Sequence, residues 1–255
     1  MPYIHRDGVR IWYEEHGSGP PVLLSHGYSA TSRMWAGQVA AFAPRYRVLT
    51  WDMRGHGESD SPDDAARYSE AATVDDMATV LDQCGVERAV VGGLSLGGYM
   101  SLAFYLTYPE RVRALMLFDT GPGYRNAEAR AGWNRIAERR ATALEENGLD
   151  ALRTGGDEVR VSMHHSAAGL AHAARGMLAQ SDSRVIEALP AIAVPTLVLV
   201  GERDEPFLAA TDMMAAKIPH ATKVVVPDAG HASNIMNPVA FNAAVEEFLA
   251  SLPVE

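Results

Sequence analysis

A mostly parallel α/β sheet is predicted by three features of the chain. Short, continuously apolar runs recur along it, helical stretches separate them, and one run enters a helix through the turn Gly93-Leu94-Ser95-Leu96-Gly97. Continuous rather than alternating apolarity is what a strand covered by helices on both faces requires, and intervening helices supply right-handed crossovers between parallel strands.

Taken in order, Tyr3-Ile4 and residues 9–15, with Asp7-Gly8 between them, read as an antiparallel hairpin. Residues 22–26, 48–52, 89–94, 114–119, 196–201 and 223–226 read as the remaining strands. Helices are expected over 73–84, 96–108, 209–217 and 238–251. Pro109 and Pro219 end two of them, and Pro238 opens the last with Asn237 as its cap. Between Gly121 and Leu189 strands vanish. Apolar residues there take helical spacing at Trp133, Ile136, Ala137 and Leu144, and again at Leu170, Ala174, Met177 and Leu178. The expected organisation is a core domain of residues 1–120 and 190–255, interrupted by a helical cap or lid over 121–189. Such an insertion stands over the carboxyl edge of the sheet, where open α/β proteins bind ligands.

A chain of 255 residues, 47% hydrophobic, can bury one large core. Lys and Arg total 22 against 32 Asp and Glu, so the net charge of -10 argues against a nucleic-acid partner. Because the acidic residues are scattered, the charge reads as a solubility feature. The start Met1-Pro2-Tyr3-Ile4-His5-Arg6-Asp7 lacks a signal-peptide core, and no stretch has bilayer-spanning length, so a soluble cytoplasmic protein without membrane association is expected. Cys84 is the only cysteine, which excludes an internal disulfide, and its place before Gly85 reads as a buried thiol in the last turn of a helix. His164-His165 suggests a metal site only superficially. Adjacent helical side chains diverge by about 100°, and no further ligand set accompanies them, so neither metal nor cofactor is expected.

A serine between strand and helix, flanked by glycines two residues away, is held in a strained turn that projects its hydroxyl clear of the sheet. The first N–H groups of the helix lie beside it and suit an oxyanion. Serine needs a base oriented by a carboxylate. Asp204 and His231 each follow a strand at the same edge. Asp119 also ends a strand there and is a rival acid, whereas Asp228 sits in the turn Pro227-Asp228-Ala229-Gly230 and is expected to shape it. His26 and His56 read as braces of their own loops.

The order Ser95, Asp204, His231, together with Ser25-His26-Gly27-Tyr28 and Asp52-Met53-Arg54-Gly55-His56-Gly57-Glu58-Ser59 after earlier strands, resembles the α/β-hydrolase family over nearly the whole chain. That resemblance implies an eight-stranded, mostly parallel sheet flanked by helices with an inserted helical cap. It implies Ser95 as nucleophile, His231 as general base and acid, Asp204 as orienting acid, and main-chain N–H groups of Tyr28 and Leu96 as the oxyanion hole. Trp133, Met163, Met177 and Phe207 are candidates to line an acyl pocket. Serine rather than aspartate at position 95 argues against haloalkane dehalogenases and epoxide hydrolases. The single glycine after His26 is similar to enzymes of small or medium acyl esters and lactones, in the serine esterase and 3-oxoadipate enol-lactonase branch. The implied activity is hydrolysis of a small-molecule ester or lactone through an acyl-enzyme, lost as pH falls through the free-histidine value of about 6.5. The same triad also serves carbon–carbon bond hydrolases and cofactor-free perhydrolases or haloperoxidases. A ligand-sensing receptor on a slow hydrolase scaffold is the alternative of another class.

Overall fold

The computed structural model describes residues 3–253; Met1 and Pro2 of the N-terminal reading lie outside the described residues. Its strands are β1 (Tyr3–Arg6), β2 (Val9–His16), β3 (Pro21–Ser25), β4 (Arg47–Trp51), β5 (Ala89–Leu94), β6 (Val112–Phe118), β7 (Thr196–Gly201) and β8 (Ala221–Val226). They form one sheet in the order β1-β2-β4-β3-β5-β6-β7-β8. The first two pairings are antiparallel and all the others parallel, as the hairpin and the crossover helices require. Five residues of β5, β6 and β7 illustrate the burial: Val90, Val91, Leu115, Met116 and Val198 are all inaccessible or nearly so, the condition that produces continuous apolar runs.

Helices cover both faces. α1 (Ala36–Phe42) and α10 (Pro238–Ser251) pack on one side, where Phe118 and Phe241 meet edge-on at 4.8 Å and Trp35 lies against both. α2 (Glu70–Gln83), α3 (Leu96–Thr107) and α8 (Glu205–Lys217) bury their apolar faces in the opposite cluster. Between β6 and β7 come α4 (Ala127–Asn147), α5 (Asp157–Arg160), α6 (Ala167–Ala173) continuing into a π-helical turn over Ala174–Leu178, and α7 (Arg184–Ala188). The short α9 (Ser233–Met236) precedes α10. No helix among the described residues is long and apolar enough to cross a membrane.

Helix boundaries follow local chemistry. α2 begins at Glu70, three residues before the expected start, because the Ser69 side chain accepts from the Ala72 N–H. At the C-terminal end, Cys84 is the capping residue and Gly85 takes φ 62°, the left-handed conformation that closes a helix. The Cys84 thiol is buried, which pushes its pKa up to about 11. α8 begins at Glu205 rather than at 209: Pro206 sits in its first turn, where a missing N–H costs nothing, so the loop after β7 is shorter than expected.

The loop after β4 is tied to α2 by a buried ion pair. Arg54 donates Nε to Asp76 Oδ2 and Nη2 to Asp76 Oδ1, both at 2.7 Å, and Arg6 Nη1 adds a bond of 3.1 Å. Arg54 is 3% and Asp76 0% exposed, so neither charge has water to fall back on. Asp76→Ala strands a buried guanidinium and is expected to lower the unfolding free energy by about 3–5 kcal/mol. Urea unfolding of wild type and variant checks it; a loss below about 1 kcal/mol would mean the pair is solvated.

Candidate active site

Ser95 lies between β5 and α3 with φ 55° and ψ -114°, a left-handed conformation that strains any residue with a Cβ. The neighbouring backbone leaves no alternative. A Cβ at Gly93 would come within 2.5 Å of the Gly97 carbonyl carbon and 2.6 Å of Ser25 O, and one at Gly97 would overlap Ser25 O itself. Strand β3, the turn and helix α3 therefore pass at a separation only glycine permits. The Ser95 N–H donates to Phe118 O (2.9 Å) and its carbonyl accepts from Thr120 Oγ1 (2.6 Å), so the turn is held from β6. Its hydroxyl has no hydrogen-bond partner among the described residues and opens into two cavities.

On the adjoining loops, His231 Nδ1 and Asp204 Oδ2 are 2.9 Å apart. With Nδ1–H donating to the carboxylate, Nε2 is left with a free lone pair. Asp204 is almost fully buried, whereas the imidazole keeps a third of its surface open. Phe207, in the first turns of α8, stacks on that ring at 5.1 Å and 24°. Burial opposes protonation of His231, but the Asp204 hydrogen bond and charge outweigh it, with smaller help from Asp119 and Glu158, so its pKa is raised. The ordinary histidine value expected from sequence is thereby corrected upward.

Asp119, the rival acid, does something else. It is fully buried at the end of β6, accepts from the Gly201 N–H (2.7 Å) and from Ser233 Oγ, and so ties β6 to β7 and α9. Burial pushes its pKa up to about 7 against those hydrogen bonds. Asp228 pairs with Arg203 and takes φ 58°, shaping its turn as expected.

The loop Gly27-Tyr28-Ser29 is held by three histidines. His26 donates Nδ1–H to Gly27 O (2.7 Å) and accepts at Nε2 from the Met53 N–H (2.9 Å); burial pushes its pKa down to about 4, so it is a neutral brace. His56 Nε2 accepts from the Ser29 N–H (3.2 Å), and His164 Nε2–H donates to Ser29 O (2.9 Å) while its Nδ1 accepts from the Gly57 N–H (3.2 Å). Sequence reading placed His26 and His56 as braces and missed His164, whose partners are 107 and 135 residues away. His165 instead faces Glu58 at 3.3 Å on the exposed side. Tyr28 extends its hydroxyl to Leu170 O (2.9 Å), linking the loop to α6.

The larger cavity, about 600 Å³, is walled by Tyr28, Ser95, Asp204 and His231 from the sheet edge and by Arg140 and Glu158 from the helices between β6 and β7. A smaller one, about 240 Å³, is bounded by Leu96, Tyr99, Tyr124 and Gln180. Trp133, Phe207 and Ser95 border both, so two of the expected pocket residues stand at the partition. The Trp133 indole is fixed there by donation to Leu178 O (2.8 Å). Met177 and Met163 do not line either cavity, which corrects that expectation. Met177 is fully buried because its helical spacing with Leu170 and Ala174 turns it into the packed interior, and Met163 is 52% exposed with its sulfur against Arg33.

A family model described as alpha/beta hydrolase fold matches residues 20–172, which include the serine turn and the loops after β3 and β4. The chain belongs to the alpha/beta hydrolase family. Among its relatives, 3-oxoadipate enol-lactonase 2 of Acinetobacter baylyi is 30% identical, over 96% of this chain and 97% of the relative. A putative 2-succinyl-6-hydroxy-2,4-cyclohexadiene-1-carboxylate synthase of Bacillus subtilis is 30% identical over the same shares. Of solved structures, a thermophilic esterase from Thermogutta terrifontis superposes with a TM-score of 0.84 at 31% identity, covering 99% of this chain and 98% of that one. This alpha/beta hydrolase thus matches esterase and enol-lactonase relatives over nearly the whole of both chains.

The His231 assignment has a direct readout. The ring titration, followed by NMR, is expected to have its midpoint above the ordinary value of about 6.5, because the Asp204 carboxylate stabilises the imidazolium. In Asp204→Asn the midpoint falls, since burial then acts with less opposition. An unchanged midpoint would remove Asp204 as the partner.

Proposed function

We propose that this protein is a serine hydrolase of small to medium carboxylic esters or lactones, acting through an acyl-enzyme. The observation that carries the reading is the Asp204–His231 hydrogen bond, which leaves Nε2 unprotonated in the cavity that Ser95 also faces. His231 takes the Ser95 proton as the hydroxyl attacks the carbonyl, then returns it to the leaving oxygen. Asp204 holds the tautomer and stabilises the imidazolium. Water repeats the sequence on the acyl-enzyme and regenerates Ser95. Serine-to-imidazole hydrogen bonds are often long without substrate and tighten in the Michaelis complex, so the unpartnered Ser95 hydroxyl is compatible with this role.

The oxyanion is received by the main-chain N–H groups of Leu96, in the first turn of α3 where no helical carbonyl competes, and of Tyr28, whose loop the three histidines immobilise. The two cavities meeting at Ser95 suit the two halves of an ester, with the hydrocarbon-rich part in the smaller. Residues 121–189 act as the cap that closes this site, and residues 1–120 and 190–255 form the core beneath. Esterase and enol-lactonase relatives of matching length support an ester or lactone substrate.

Hydrolysis of p-nitrophenyl acetate and butyrate tests the reading. Ser95→Ala is expected to lower turnover by roughly 10⁴-fold or more, and a fluorophosphonate should add its mass at Ser95. Wild-type kcat/KM should fall as pH drops through the raised His231 value, because the protonated ring cannot accept the serine proton. Equal rates for wild type and Ser95→Ala would reject the mechanism. Fast multiple turnover is the result that separates an enzyme from a slow ligand-sensing receptor.

A further inference from the structure

Among the described residues, four of the five buried carboxylate side chains are served by protein donors. Asp52 accepts from the N–H groups of Ser32 (2.7 Å) and Glu58 (2.9 Å), Asp76 from Arg54 and Arg6, Asp119 from Gly201 and Ser233, and Asp204 from His231. Glu158 is 9% exposed, and among the described residues its carboxylate has neither a hydrogen bond nor an ion pair. It lines the larger cavity together with Ser95 and His231. Its charge also reaches His231, favouring the protonated ring.

The placement is built into the local sequence. A Cβ on Gly156 would lie 2.5 Å from Glu158 Oε2 and 2.8 Å from Oε1, so the carboxylate occupies the space a side chain at 156 would fill. Gly156 has φ -65°, a conformation open to any residue, which leaves the room itself as the reason for glycine. Arg140 shares the cavity wall, yet its guanidinium stands 5.6 Å over the Tyr28 ring and makes no ion pair with Glu158. The two oxygens keep contact with the cavity, where solvent reaches them. A substrate that fills the cavity excludes that solvent and leaves the carboxylate unserved unless the substrate itself supplies a donor.

We propose that Glu158 selects, within the candidate active site, esters or lactones that carry a hydroxyl or ammonium donor away from the scissile carbonyl, and disfavours those ending in a free carboxylate. The inference rests on the hydrolase reading and deepens it. Glu158 takes no part in bond making or breaking; it accepts a hydrogen bond from the bound substrate.

The test is a matched set of p-nitrophenyl esters: hexanoate, 6-hydroxyhexanoate, 6-aminohexanoate and the adipate monoester. Wild type should show the highest kcat/KM for the two donor-bearing esters and the lowest for adipate. Glu158→Gln should lower the amino ester by about tenfold relative to hexanoate and the hydroxy ester less, since the amide oxygen still accepts from a hydroxyl. Adipate should rise. Gly156→Ala, which displaces the carboxylate without deleting it, should shift the series in the same direction. A uniform change across all four esters would reduce Glu158 to an influence on His231 and overturn the proposal, as would a wild-type preference for adipate lost in Arg140→Gln. If wild type hydrolyses none of them, the hydrolase reading fails, and calorimetry of the corresponding p-nitroanilides on Ser95→Ala decides for Glu158. Tighter binding of the aminohexanoyl than of the hexanoyl anilide, abolished by adding Glu158→Gln, supports selection; equal affinities refute it.

Discussion

Everything at the candidate site depends on a steric constraint, the approach of β3 to the β5–α3 turn at a distance that excludes a Cβ at positions 93 and 97. The turn cannot relax outward, because the Ser95 N–H and carbonyl are both engaged by the segment ending β6. Ser95 is left in a left-handed conformation whose typical cost of about 1–3 kcal/mol is borne by the surrounding sheet. The strain and the parallel packing are one feature.

A second level of organisation is electrostatic. Asp52, Asp76, Asp119 and Asp204 lie in the interior, and each is given a structural task by the donors it meets. Asp52 and Asp76 secure the loop after β4, Asp119 joins the ends of β6 and β7, and Asp204 alone contacts His231. Two carboxylates at the same edge thus differ in role because one faces main-chain and hydroxyl donors and the other an imidazole. Neutral histidines complete the arrangement: His26, His56 and His164 use both ring nitrogens to hold loops, which removes them as competing bases.

Much of this was legible in the sequence because it is local. Continuous apolar runs located the inner strands, Asp7-Gly8 marked the opening hairpin, and the glycines around Ser95 announced the tight turn. Helix starts were less readable: α1 has no capping side chain to mark it, and the turn residues at 201–204 masked the start of α8 despite Pro206. Helical spacing identified the face containing Met177 but not whether that face met the interior or a cavity. Glu158, Arg140 and His164 escaped because their meaning lies in what faces them across the fold, and the upward shift of His231 comes from charges brought together by the loops after three different strands and by α5.

Trp133 and Phe207 stand between the two cavities, and Phe207 also stacks on His231. The two compartments are therefore not independent variables for evolution or engineering. A smaller residue at 207 enlarges both sides at once and uncovers one face of the imidazole to water, so shape preference and proton affinity drift together. Lineages diverging toward new substrates on this scaffold would be expected to change 133 and 207 in concert with distal wall positions rather than singly.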